Sequence, residues 1–101
     1  MRILARRFKM GDFLTELMAV IDDRRRNPKP GSYTNTLLAD PVRAAQKVGE
    51  EATEVVVAAL AQSDERLVAE MADLVYHSLA LLVAHGLSWA DVEAELERRH
   101  K

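Results

Sequence analysis

Residues 47–60 read KVGEEATEVVVAAL, and residues 70–77 read EMADLVYH. Neither stretch contains proline, and in both the charged and apolar positions recur at intervals of three and four, the helical period. Setting Glu50 at zero and advancing 100° per residue, Glu54 falls at about 40°, Lys47 at about 60° and Glu51 at about 100°. These four side chains share one stripe. The opposite arc carries Ala45, Val48, Ala52, Val55, Val56 and Ala59. In the second stretch, with Glu70 at zero, His77 falls at about −20° and Asp73 at about −60°, on a face shared with Leu74 and Leu81. Val68, Val75, Leu79 and Leu82 fill the far side. A helix apolar nearly all round is central to its bundle, so two acids on it point to chemistry rather than to solvation.

Two bland explanations compete for the acids. Lys47 can pair with Glu50 or Glu51 at i+3 or i+4 on a solvated surface. Alternatively, the acids are buried in ion pairs, but Lys47 is the only obvious basic neighbour, and one cation does not neutralise five carboxylates. The i, i+3 spacing occurs twice, in Glu51 with Glu54 and in Glu70 with Asp73, so each pair reaches a single point beside its helix. Two such helices face to face supply four oxygen ligands, as in the carboxylate sites of bundle cores. Oxygen ligation in a chain without cysteine favours Mg²⁺, with Mn²⁺ as a substitute, over zinc.

Working outward, Asp40-Pro41 opens the first of these helices, the Asp capping and the Pro taking the first turn. It runs to about Ala61. Asp64 is expected to cap the next, which runs to about His85 and ends on Gly86. Ser88 and Asp91 form a capping-box pattern that opens a last helix to about Arg99. Upstream, Phe13, Leu14, Leu17, Met18 and Ile21 mark a helix from Met10 to Arg26 with Asp12 as its cap. RRRNPKPGS breaks it, and Ser32 caps a short helix through Leu38 and Ala39. Nothing alternates with period two. The fold class is therefore all-α, a bundle of four to five helices in one domain over 10–101, with residues 1–9 as a basic tail.

Composition narrows the function classes. Apolar residues make up 49% and charged residues 30% of the 101, a globular balance with room for a modest core only, so oligomerisation would help it. A net charge of −2 gives no general attraction to nucleic acid or membrane. The absence of cysteine removes disulfides and thiolate chemistry and suits a cytoplasmic protein. The basic N-terminus lacks an apolar segment of the secretory type, and residues 71–85, interrupted by Asp73 and His77, read as too short and too polar to span a bilayer.

KVGEEATEVVVAAL and EMADLVYH together resemble the EExxE…ExxD signature of the MazG-type all-α nucleotide pyrophosphatases. With GSYTNTLL upstream and HGLSWADVEAELERRH at the end, the chain is similar to the phosphoribosyl-ATP pyrophosphatases of histidine biosynthesis over about Phe13 to His100. The resemblance implies hydrolysis of phosphoribosyl-ATP to phosphoribosyl-AMP and pyrophosphate with Mg²⁺, in an intertwined homodimer. It implies metal ligands at Glu51, Glu54, Glu70 and Asp73, with Glu50 as a further catalytic acid. The arm MRILARRFK has no counterpart in that family, and Met10 is an alternative start.

In-line attack by a metal-bound water on the α–β anhydride is the expected mechanism, since such chemistry rests on positioning and electrostatics. Lys47 is a candidate phosphate contact, its alternative being an intrahelical salt bridge. Ser32, Tyr33 and Thr34, at a helix start, are candidate substrate contacts, with plain capping as their alternative. His77 is a candidate to orient a ligand carboxylate, or else a satisfied core histidine. Arg24, Arg25, Arg26 and Lys29 form a solvated helix end or a steering patch. Trp89 reads as a packing anchor and Tyr76 as a packing residue. Two other functions stand beside the first: a house-cleaning nucleoside triphosphate pyrophosphatase of the same superfamily, and a non-enzymatic helical dimerisation module.

Overall fold

The computed structural model describes residues 9–100. The basic tail expected at 1–9 lies, apart from Lys9, outside the described residues. Five helices follow in order: α1 Asp12–Arg26, α2 Tyr33–Ala39, α3 Pro41–Ala61, α4 Asp64–Ala84 and α5 Trp89–Arg99. No strand occurs among the described residues, and the all-α expectation is borne out.

The helix boundaries follow local chemistry. Asp40 serves twice, as the C-cap of α2 and as the N-cap of α3, where its Oδ1 accepts from the Arg43 amide at 3.1 Å and Pro41 takes the first turn. Ser32 Oγ accepts from the Asn35 amide at 3.2 Å to cap α2. Ser88 and Asp91 form the full capping box of α5. Two expected caps move by one residue. Ser63, not Asp64, caps α4 by accepting from the Arg66 amide at 3.1 Å. Gly11, in the left-handed conformation at φ 90°, takes the cap of α1, while the Asp12 carboxylate turns back to the Lys9 amide at 3.1 Å. Asn35 closes the loop after α1, accepting from the Lys29 amide at 2.7 Å and donating to the Arg24 carbonyl at 2.8 Å.

Only Gln62 and Ser63 separate α3 from α4, and the two helices pack more extensively than any other pair. They form a helical hairpin. α4 also contacts α1 and α2, which makes it the central helix that its composition implied. By length and composition α4 is apolar enough to cross a membrane, contrary to the reading of 71–85, because the helix reaches back to Asp64. Its contacts on three sides are those of a bundle core.

The core is small. Ile21, Leu79 and Val83 are buried with Leu14, Leu17, Met18 and Trp89 around them, and Leu37, Ala44 and Ala80 form a second cluster. α3 buries a stripe at the flank of its acidic side rather than the centre of its apolar arc. Its buried residues are Ala44, Glu51 and Ala58, spaced seven apart, so Glu51 faces into the hairpin while Glu50 and Glu54 stay exposed. Val48, Ala52 and Val55 of the apolar arc are half-buried beside that stripe. The rest of the arc faces outward with its neighbour Leu60: Val56 is 56% and Leu60 83% exposed. An apolar groove of about 510 Å³ also lies open between α1 and α4, lined by Phe13, Leu17, Leu67, Val68, Met71 and Val75.

Candidate metal centre

The hairpin brings carboxylates from both helices to one place. Glu51 of α3 and Glu70 of α4 are buried, at 6% and 5% exposure, while Asp73 is exposed one turn further along α4. One oxygen from each of these three lies within 4.8 Å of the others. Lys47 Nζ sits 3.4 Å from Glu51 Oε1, and Glu51 Oε2 is buried without a hydrogen-bond partner. A buried carboxylate oxygen left unpaired is costly, and a hard divalent cation relieves that cost with no second protein group. The donor set, all oxygen and drawn from two helices, fits such an ion.

Glu54 lies on the exposed side of the same helix, outside that group of three. Its pKa is held above the usual carboxylate value, chiefly by the charge of Glu70 and then by that of Glu51. Like charges crowded together disfavour further ionisation. Glu50 is exposed and engaged elsewhere, by Arg43 at 3.3 Å and Lys47 at 3.5 Å. Partial burial works against the Lys47 ammonium, yet the Glu51 charge and the other acidic contacts raise its pKa above the ordinary lysine value. Lys47 is therefore a firmly held cation at the edge of the cluster.

A second base escaped sequence reasoning. Arg66 forms a salt bridge with Glu70 at i, i+4, so Lys47 is not alone. The spacing was readable in RLVAE, the pairing rule being the one applied to Lys47. Three bases, Arg43, Lys47 and Arg66, against Glu50, Glu51, Glu54, Glu70 and Asp73 still leave the cluster acid-rich.

The SYT segment docks beside the acids. Tyr33 Oη lies 2.9 Å from His77 Nε2, and the Thr34 and Tyr76 hydroxyls are hydrogen-bonded to each other. His77, buried, has its Nδ1 2.7 Å from the Asp73 carbonyl oxygen. Both ring nitrogens are thus used, and neither touches a ligand carboxylate. Ser32 is taken up by its cap. Tyr76 packs against both core clusters, and Trp89 against the Ile21 cluster. The basic run at the end of α1 is not a free patch: Arg25 and Arg26 pair with Asp22, and Arg24 with Asp23.

Carboxylates gathered across a helical hairpin, with an all-oxygen donor set, match the site expected of an all-α phosphoanhydride hydrolase, and comparison with known proteins gives the family. The model of the phosphoribosyl-ATP pyrophosphohydrolase family matches residues 14–100. The chain is 55% identical to phosphoribosyl-ATP pyrophosphatase of Pyrobaculum calidifontis, over 87% of this chain and 95% of that protein. It is 48% identical to the Caulobacter vibrioides protein of the same name, over 90% and 85% of the two chains. It is also 46% identical to a histidine biosynthesis bifunctional protein of Xanthomonas axonopodis, over 90% of this chain and 45% of that one. The chain belongs to the phosphoribosyl-ATP pyrophosphohydrolase family, as its acidic motifs implied.

Proposed function

We propose that this chain hydrolyses phosphoribosyl-ATP to phosphoribosyl-AMP and pyrophosphate, a step of histidine biosynthesis, using Mg²⁺ held by Glu51, Glu54, Glu70 and Asp73. The observation that carries the reading is the set of three carboxylate oxygens within 4.8 Å across α3 and α4, one member of which has a buried oxygen without a partner. When bound, the ion supplies neutralisation of the triphosphate charge and a more acidic water. The chain's own residues do the positioning. Lys47, raised in pKa and fixed between Glu50 and Glu51, offers a point charge to phosphate oxygens. The hairpin holds the acids in register, so their arrangement precedes substrate binding. Glu50, paired with Arg43 and Lys47, acts by holding those bases rather than by ligating.

A homodimer completes the reading. The outward-facing Val56, Val57 and Leu60 of α3 and the groove between α1 and α4 are apolar surfaces of the kind that a partner covers. A second copy of the bundle covers both, and the protein works in the cytoplasm.

Pyrophosphate release from phosphoribosyl-ATP, with Mg²⁺ and with chelator, tests the function beside a panel of ordinary nucleoside triphosphates. Release confined to phosphoribosyl-ATP and abolished by chelator is expected. Equal or faster release from the ordinary triphosphates would move the chain to the house-cleaning class. Light scattering on a sizing column tests the dimer, and a monomer at micromolar concentration would refute it.

A further inference from the structure

Three groups from α2 and α4, the Asp73 carbonyl, the His77 ring and the Tyr33 hydroxyl, form a chain with a fixed polarity. The Asp73 carbonyl oxygen accepts only, so the nitrogen 2.7 Å from it, His77 Nδ1, carries a proton. In the neutral imidazole, His77 Nε2 is then an acceptor. The Tyr33 hydroxyl, 2.9 Å away, gives it its single proton. What remains on the Tyr33 oxygen is lone pairs. Tyr33 is half exposed beside the acidic cluster, and its ring is braced by Tyr76, stacked at 6.3 Å, and by the edge of His77 at 5.7 Å. Its phenol is therefore a rigid, outward-facing hydrogen-bond acceptor.

An acceptor repels phosphate oxygens, which carry lone pairs and negative charge, and suits an O–H or N–H donor. We propose that Tyr33 is a specificity residue that receives a hydrogen-bond donor from the nucleoside part of the substrate and does not bind its phosphates, and that His77 is the positioning residue that enforces this polarity. The nucleotide then lies with its triphosphate over Lys47 and the acids of α3 and α4, and its sugar or base against the start of α2. This goes beyond the sequence reading of Ser32, Tyr33 and Thr34 as candidate substrate contacts, and it rests on the phosphoribosyl-ATP function proposed above.

Two measurements test it. Nitrogen-15 spectra of the labelled imidazole report the tautomer directly. Protonated Nδ1 with an unprotonated, hydrogen-bonded Nε2 is expected, and the opposite tautomer overturns the proposal. In kinetics, Tyr33→Phe keeps the ring stack and removes the acceptor. KM for phosphoribosyl-ATP should rise about tenfold, the effect of one lost hydrogen bond, with kcat little changed. Inhibition by tripolyphosphate, which has no nucleoside, should not move. Weakened tripolyphosphate inhibition would make Tyr33 a phosphate ligand and end the proposal. His77→Asn, which reaches only the Nδ1 position, should reproduce Tyr33→Phe; His77→Gln, which reaches the Nε2 position, should restore KM. Failure of Gln to do better than Asn counts against the positioning role. Ribose-deoxygenated substrates separate the donors: the Tyr33→Phe penalty vanishes for them if the sugar donates and persists if the base does. If the wild-type chain released no pyrophosphate from phosphoribosyl-ATP, the functional reading would fall, and the imidazole spectrum would still decide the polarity.

Discussion

The α3–α4 hairpin and the C-terminal ends of α1 and α5 both carry acid–base pairs at i, i+3 and i, i+4, yet Glu54 in the hairpin and Asp22 and Glu95 at the ends shift in opposite directions. Asp22 is pinned by Arg25 at 2.9 Å and Arg26 at 3.1 Å, and Glu95 by Arg98 and by Arg99 at 2.8 Å. The Arg25 hydrogen bond lowers the Asp22 pKa, and the Arg98 hydrogen bond lowers that of Glu95. In the hairpin, Glu70 and Glu51 push the pKa of Glu54 upward. Acid density is alike in the two regions, but the supply of bases is not. A functional carboxylate is marked by what its neighbours fail to neutralise.

The comparison breaks most visibly in turnover. Glu54→Gln should lower kcat by about a thousandfold or more, the several kcal/mol that a metal-site charge contributes. Helicity by circular dichroism should be unchanged, because Glu54 is exposed. Glu95→Gln, the same chemical change among satisfied acids, should leave kcat within about twofold of the wild type, since surface salt bridges contribute little. Retained activity in Glu54→Gln would remove that residue from the site.

Mg²⁺ and heat give the next largest effect. An ion that binds only the native state at a hundredfold excess over its Kd should raise the melting midpoint by about 10 °C in a domain of this size. Glu51→Gln and Asp73→Asn should abolish that shift, and Glu95→Gln should keep it. The metal-free midpoints sharpen the contrast. Neutralising Glu54 relieves its repulsion by Glu70 and Glu51, so Glu54→Gln should melt no lower than wild type in chelator, whereas losing Glu95 removes an attraction. A wild-type midpoint indifferent to millimolar Mg²⁺ would return the cluster to the role of a dimerisation surface.

Much of this contrast was legible in the sequence, and the part that was not has physical reasons. Helix existence, the capping of α2, α3 and α5 and the acid stripe follow from periodicity and cap chemistry, which act within a few residues. The caps of α1 and α4 shifted by one for different reasons: Ser63 accepts from the Arg66 amide in place of Asp64, and Gly11 starts α1 through its left-handed backbone without any side-chain bond. The burial of α3 was harder. Periodicity identifies two faces of a helix and not which one meets the neighbour. Here the buried stripe runs through Ala44, Glu51 and Ala58, so Glu51 packs inward while Glu50 and Glu54 stay exposed. Asp73 shares a face with Glu70 and yet is exposed, because about 60° of offset carries it past the edge of the hairpin contact. The Tyr33–His77 pair spans 44 residues, and no local pattern announces it.

Arg66 supplies a smaller effect. Its guanidinium occupies Glu70 in the absence of metal, so a cation entering the site must displace it. Arg66→Ala should lower the Mg²⁺ concentration at half-maximal stabilisation by about threefold, as expected for a partly exposed ion pair worth less than a kcal/mol. A rise in that concentration would show that Arg66 orients Glu70 for the metal.

The smallest effect lies in the pH dependence of stability, where the two regions should differ in sign. For Asp22 and Glu95 the folded pKa is lowered, so the native state binds fewer protons than the unfolded chain. Their contribution is present above the unfolded carboxylate pKa and fades as pH falls through the lowered value. For Glu54 the folded pKa is raised, so in chelator the native state retains a proton that the unfolded chain gives up. Stability from that residue is present below the unfolded pKa and is lost as pH rises through the raised one. Glu95→Gln should therefore flatten the acid limb of the melting curve by at most ~3 °C, the scale of one exposed pair. Glu54→Gln should flatten the opposing slope just above it, in chelator only. If both variants changed the curve with the same sign, the acids of the hairpin would be no less neutralised than those at the ends of α1 and α5.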